Sequence, residues 1–430
     1  MNSSREKINI FWFRRDLRLD DNTGLNAALD SSIPVLPVFI FDRNITDDLH
    51  NDDARVSFIY DELKNINEKL AGSGSGVLIK KGTPLKTWEE LISEFNIGAV
   101  FFNRDYEPYS IKRDAEITEL LKKNRVDVRT FKDQVIFEEK EIQKPDGGPY
   151  TMFTPYKKAW LKKIEAQEIG TGVERGRARW CKFRNNFPAL EGLEFRRSQI
   201  RIKPYDLSKL KDYNIFRDFP AEDSTTHLGP HLRFGTVSIR RIIQVATTQS
   251  QSFLDELIWR EFFMQILFNF QHVVTGNFRS KYDNINWRNN ENEFLRWCNG
   301  ETGYPLVDAG MRQLNETGYM HSRVRMIAAG FLCKHLLTAW WYGEAYFAGK
   351  LNDYELSSNN GNWQWVSGTG CDAAQYFRVF NPVYQQTKFD PHNEYVRRWI
   401  PESGKRSYPK PIVEHAFARE RAINAFRRQY

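Results

Sequence analysis

Residues 357–382 read SSNNGNWQWVSGTGCDAAQYFRVFNP, and the reading of the whole chain turns on them. Trp363 and Trp365 sit one residue apart among three amides, Asn359, Asn360 and Asn362. A small-residue turn, Ser367-Gly368-Thr369-Gly370, follows, and then a basic aromatic segment, Tyr376-Phe377-Arg378-Val379-Phe380. Indole rings gain by burial, while their N–H needs a partner. Set between amides and small residues, the rings suit a wall around a flat polar ligand. Buried aromatics are also ordinary core material, so the stretch reads too as a core turn with two structural tryptophans.

Toward the N-terminus the pattern changes. Ile8–Phe13, Val35–Phe41, Gly76–Lys81, Ala99–Asn103 and Val126–Phe131 are short apolar runs that read as strands. Between them Val56, Ile59, Tyr60, Leu63, Ile66 and Leu70 fall at helical spacing, as do Ile117, Leu120 and Leu121. Alternation of this kind implies a doubly wound parallel sheet, which binds ligands at the carboxyl ends of its strands. No GxGxxG is present, and Arg14-Arg15-Asp16-Leu17-Arg18 reads as a solvated loop tied by ion pairs. From about residue 206 the pattern is helical, with Leu254, Leu257, Ile258, Glu261 and Phe262 on one helix and 324–337 on another. The expected fold is thus an α/β domain over 1–137, a connector over 138–205 and an all-α domain over 206–430. The connector carries the turn cluster Lys144–Pro149 and the basic runs Glu174–Arg179 and Arg196-Arg197. Pairing with acidic faces of the same chain is the favoured reading of that charge, ahead of contact with DNA.

The chain has 430 residues, a net charge of +7 and a pI of about 9.0, which permits a nucleic-acid partner without proving one. Eight of the twelve tryptophans lie after residue 250, as a stacking ligand or a large helical core would require. Cys181, Cys298, Cys333 and Cys371 show no CxxC spacing, and the eight histidines show no ligand pattern. A reducing setting without disulfides or metal is expected. There is no apolar run of about 18 residues and no signal-peptide pattern at the start, so a cytoplasmic, nucleoid-associated protein away from membranes is expected.

SNNGNWQW followed by DAAQYFRVFNP closely resembles the flavin-binding region of the photolyase/cryptochrome family, above all the class I photolyases that repair cyclobutane pyrimidine dimers. FWFRRDLRLDDN, FLDELIWREFF, TGYPLVDAGMRQLNETGYMHSRVRM and PIVEHAFARERA extend the resemblance to nearly the whole chain. It implies FAD as cofactor, UV-damaged DNA as partner and a monomer with no obligatory protein partner. It also implies an N-terminal domain that can hold a second, light-harvesting chromophore. Folate-binding members carry Asn-Glu after a Tyr-Glu-Val-like tripeptide, whereas this chain reads Tyr106-Glu107-Pro108-Tyr109-Ser110. A folate antenna is therefore not expected, and a flavin type, a deazaflavin type or none stays open.

The resemblance also implies roles for single residues. Tyr213 and the loop Thr225-Thr226-His227-Leu228-Gly229 match the family's FAD phosphate site. Hydroxyls and N–H groups entering a helix suit a diphosphate, although Ser or Thr there is commonly just a cap. Asp353 and Glu355 match positions near the flavin ring and adenine, Arg325 an arginine against the isoalloxazine, and Phe253 a site where the family often has Trp. Asn359 falls beside flavin N5, where plant cryptochromes carry Asp. An amide offers no titratable proton, which favours a fully reduced flavin and repair over signalling. Trp363, Trp340 and Trp287 match the family's chain that carries electrons from the surface.

Glu256, Trp259 and Arg260 share a helix face, where Trp can stack an extruded base and the acid can bond its edge. Trp365 and Met326 supply further walls, and Met326 agrees with cyclobutane-dimer rather than (6-4) repair. Ser322 stands where many dimer photolyases have Asn. Arg217, Arg323, Arg378 and Gln385 match positions near DNA phosphates or the lesion. The rival readings are a cryptochrome-type blue-light receptor and a (6-4) or single-strand-specific photolyase.

Overall fold

The computed structural model describes residues 6–167, 170, 179–184 and 186–429. Glu174–Ala178 of the basic run lies outside them. The chain divides into two compact units that interleave along the sequence. The first comprises Met1–Glu141, Lys162–Pro204 and Leu228–Thr248, and the second Ile142–Leu161, Tyr205–His227 and Gln249–Tyr430. This differs from the consecutive division expected at 137 and 205, for two physical reasons. Arg240 pairs with Asp21 and Asp133, and Arg233 with Glu107, which ties Leu228–Thr248 to the first unit. Trp160, on a connector helix Phe153–Glu165 that the sequence reading did not assign, is fully buried and donates to Glu261 at 2.7 Å within the second unit.

In the first unit β1 (Lys7–Phe13), β2 (Val35–Asp42), β3 (Leu78–Gly82), β4 (Asn96–Asn103) and β5 (Asp127–Phe131) form one sheet in the order β3-β2-β1-β4-β5. Every neighbouring pair is parallel. Alternate side chains feed two cores. Phe11, Phe13, Phe39 and Phe41 meet Leu25, Leu63 and Ile66 on one face. Ile10, Trp12, Val38 and Ile40 meet Trp88, Leu91, Ile117 and Leu121 on the other. A sheet covered on both faces reads as near-continuous apolar strands, which is why β1, β2 and β4 stand out in the sequence, whereas the edge strands β3 and β5 are only partly buried. The loop after β1 is not solvated as expected. Arg18 is 7% exposed and pairs with Asp133, Arg14 pairs with Asp114, and Arg15 with Asp105 and Glu107. Carboxylates from a helix, Pro108–Lys123, and from distant loops converge there, and a charge that is buried needs such partners.

The second unit is helical among its described residues. Its core gathers Trp297, Leu314, Val324, Phe331, Phe347 and Trp363. The apolar stretch 324–337 is not one helix. Ser322–Gly330 is α-helical and Phe331–His335 widens into a π-type turn, a device often found where a helix must reposition a side chain. Of the stretch 357–382, the part up to Ser367 lies on a helix, Leu356–Ser367, ended by Gly368 in the left-handed region at φ 86°.

Candidate active site

On the Leu356–Ser367 helix the amides divide by task. Asn360 and Gln364 are buried and donate to the Val273 carbonyl at 2.9 and 3.0 Å, while Gln364 Oε1 accepts from the Phe278 N–H. These two clamp a neighbouring loop. Asn362 is exposed and turns back on the Ser358 carbonyl. Asn359 differs. Its Nδ2 donates to Glu344 Oε1 at 2.9 Å and to the Glu344 carbonyl at 3.1 Å, so both amide hydrogens are spent and Oδ1 is the atom left to accept. Burial pushes the Glu344 carboxyl above its usual range, against the lowering effect of this amide. Glu344 was missed in the sequence, since nothing in spacing links it to a residue fifteen positions on.

Trp363 is buried against Phe347 at 5.0 Å and Trp297 at 6.2 Å. A Cβ on Gly343 would overlap its ring, so the helix Trp340–Lys350 approaches as closely as it does because glycine stands there. Gly343 is one turn from Trp340, which places Trp340 and Trp363 on facing sides of one helix pair. Trp340 is buried and donates to Asn277 Oδ1 at 2.8 Å. Trp365 is half-buried and packs on the same core.

The helix Gln251–Asn269 carries Glu256, Trp259 and Arg260. Glu256 pairs with Arg217 and keeps its side chain 41% exposed. Arg217 lies over the ring of Tyr213, and Tyr213 meets Phe253 edge-on at 5.2 Å. Arg260 pairs with buried Glu355 at 2.9 Å. One face of Trp259 is already taken, because Phe153 stacks on it at 3.7 Å with 8° between the planes. Phe262 and Phe263 also border the ring, edge-on at 5.5 Å and tilted at 5.4 Å, so a base could stack only on what these three leave open.

A third group lies along the helix Ser322–Gly330. Arg325 pairs with Asp353 at 2.9 Å and donates to the Met320 carbonyl. Thr225 bonds the hydroxyl of Tyr319 at 2.8 Å, and Thr226 is buried. His227 bonds Asp223. Arg323 pairs with Asp218, lies over Phe389 at 4.5 Å and reaches the sulfur of Met326. Ser322 is exposed at the start of that helix. His321 caps it, and burial pushes its ring down to about 4. Arg378 is exposed over Phe380, and Gln385 sits apart on the helix Pro382–Phe389. Leu228 and Gly229 belong to the first unit, so the loop Thr225–Gly229 is shared between the two divisions of the chain.

Residues 9–173 match the DNA photolyase family model, and residues 253–405 match the FAD binding domain of DNA photolyase. A deoxyribodipyrimidine photo-lyase of Agrobacterium fabrum is 34% identical over 97% of this chain and 97% of its own length. The chain belongs to the DNA photolyase family. A bacterial class III photolyase structure from Agrobacterium tumefaciens superposes with a TM-score of 0.87 at 32% identity, covering 100% of this chain and 98% of the other. An archaeal photolyase from Sulfolobus tokodaii, solved with two FAD molecules and discussed for a novel light-harvesting cofactor, gives 0.84 at 34% identity over 98% and 100%. Class I, expected from the motifs, is not what these matches single out.

The residues present suit a flavin dinucleotide on their chemistry. Arg325 offers a guanidinium held by Asp353, Asn359 an unspent carbonyl oxygen, and Tyr213 and Thr225 hydroxyls. Among the described residues no cluster suited to a metal ion occurs.

Proposed function

We propose that this protein reverses cyclobutane pyrimidine dimers in DNA under blue light, with FAD as the working cofactor. The observation that carries the reading is the sorting of the amides on the Leu356–Ser367 helix: of its buried amides Asn359, Asn360 and Gln364, Asn359 is the one whose acceptor is left uncommitted. Bound in its reduced form, FAD supplies a light-driven electron. The chain's residues do the rest. With its amide hydrogens spent on Glu344, Asn359 Oδ1 could accept a hydrogen bond from a reduced flavin and would offer no proton in return. Arg325 sets a positive charge beside the ring and is itself oriented by Asp353. Glu256, open to solvent at 41% and steadied by Arg217, accepts from the N3–H of a thymine in an extruded dimer. Trp365, Met326 and the open part of Trp259 form the apolar walls. Trp363 and Trp340, fed from the protein surface, would restore the cofactor's electron when it is lost. The cyclobutane bonds break and the electron returns, so no reductant is consumed per dimer.

A folate antenna in the first unit is disfavoured by committed side chains. Glu107 pairs with Arg15 and Arg233, and Tyr109 donates to Asp42 while accepting from Asn44.

The test uses photoreduced protein and an oligonucleotide bearing one thymine cyclobutane dimer, with ultraviolet base absorbance followed under blue light. Recovery in light and none in darkness is expected. A protein with bound, reduced FAD that leaves the dimer intact but repairs a (6-4) lesion would overturn the substrate assignment. Failure on both would favour a receptor.

A further inference from the structure

The ring contacts at the outer end of the tryptophan chain lead to a residue outside the set Trp363, Trp340 and Trp287. Trp340 meets Trp341 edge-on at 5.7 Å, and Trp341 meets Trp287 at 6.3 Å. Trp287 lies between Trp341 and Phe426, the latter at 5.8 Å. Its Nε1 is buried and has no partner. Trp341 is 41% exposed.

We propose that Trp341, rather than Trp287, is the terminal electron donor, and that its indole N–H releases the proton that traps the hole. The inference rests on the FAD reading above. The reasoning is electrostatic and chemical. An oxidised tryptophan is a cation, and a cation is costly away from water. It becomes long-lived once the indole N–H loses its proton, which needs an accepting base or water. The buried, unpartnered Nε1 of Trp287 has neither, whereas the open ring of Trp341 adjoins solvent. The balance is simple. A bound, oxidised flavin excited by light would take one electron from Trp363. Trp340 refills Trp363, and Trp341 refills Trp340. The Trp341 cation gives its proton to water. A thiol in solution then returns one electron and water one proton, which restores the indole.

The experiment is flash spectroscopy of FAD-loaded wild type, Trp341→Phe and Trp287→Phe, reading the long-lived deprotonated tryptophan radical. Trp341→Phe is expected to lose most of that signal while Trp287→Phe keeps most of it. An unchanged signal in Trp341→Phe overturns the proposal, whatever Trp287→Phe does. A second readout needs no variant of Trp341. Wild type is illuminated in air without thiol, and its peptides are mapped by mass for indole oxidation. Oxidation is expected at Trp341 ahead of Trp287, and it should vanish in Trp340→Phe, where the feed is cut. Equal oxidation of Trp341 in Trp340→Phe means simple surface damage and also overturns the proposal. Wild type that binds FAD yet forms no tryptophan radical would strike the FAD–tryptophan reading itself, a result distinct from either.

Discussion

Two sets of arginines in this protein look alike in sequence and differ in structure. Arg14, Arg15 and Arg18 follow β1 in one basic run, and each is closed into carboxylates under little or no solvent. Asp133 shows how tight that closure is. Burial pushes its carboxyl up, yet the guanidiniums of Arg18 and Arg240 outweigh this and hold it below the usual range. Arg217, Arg323 and Arg378 of the second unit are placed otherwise. Arg217 and Arg323 pair with side chains 41% and 35% exposed, and Arg378 stands in the open. A buried pair is fixed because separation strands a charge, whereas a half-exposed pair is worth at most about 1 kcal/mol and can be traded for a phosphate. The first set builds the fold, and the second is available to a ligand.

The largest effect expected from this contrast is on stability. Asp133→Asn leaves Arg18 and Arg240 without their shared counter-charge, a loss of about 3–5 kcal/mol. Denaturant unfolding followed by circular dichroism reads it, and dimer repair per folded molecule should hold near wild type. A variant as stable as wild type would erase the distinction. Glu256→Gln should do the reverse. Removing a charge-assisted hydrogen bond to the dimer costs about 1.5–3 kcal/mol, or roughly 10- to 100-fold in repair rate, with an unfolding midpoint close to wild type. Repair at the wild-type rate would mean that Glu256 does not touch the lesion.

How much of this was legible beforehand follows from distance along the chain. The five strands and the Gln251–Asn269 helix were visible because each carries its own apolar pattern. The Asp21–Asp133–Arg240 network was not, because its members lie 107 and 219 residues apart and charged residues carry no period. The same holds at the site. The motif around Asn359 lies on one helix, but Glu344, which spends its amide hydrogens, comes from another. Phe153 over Trp259 comes from the stretch read as connector, where turn residues and charges concealed a helix.

Acid titration tests a buried group that has no counter-charge. Burial, with His415 and Arg421 nearby, pushes His335 down to about 3 from its ordinary 6.5. Between those values the unfolded chain binds the proton and the folded one does not, so stability falls as pH drops through that window. The slope contributed is at most about 1.4 kcal/mol per pH unit. His335→Gln should flatten it, as read from unfolding midpoints in neutral and mildly acidic buffer. An unchanged slope would assign the acid sensitivity elsewhere, with His321 the next group to test.

The smallest effect separates the open arginines from one another. Arg378 is exposed, and among the described residues it rests on the ring of Phe380 rather than on a carboxylate. Nothing has to be given up when it meets a phosphate. Arg378→Ala should weaken damaged and undamaged DNA alike and lower the slope of log affinity against log salt by about 1. Arg323 must first leave Asp218, a carboxylate that Arg217 also approaches at 4.0 Å. Arg323→Ala should therefore change the slope less than Arg378→Ala, because the variant loses a cation already neutralised in the free protein. Titrations at several salt concentrations measure both. Equal slopes would show that Asp218 does not hold Arg323 in solution, and that partial exposure alone is enough to release an arginine to the phosphate backbone.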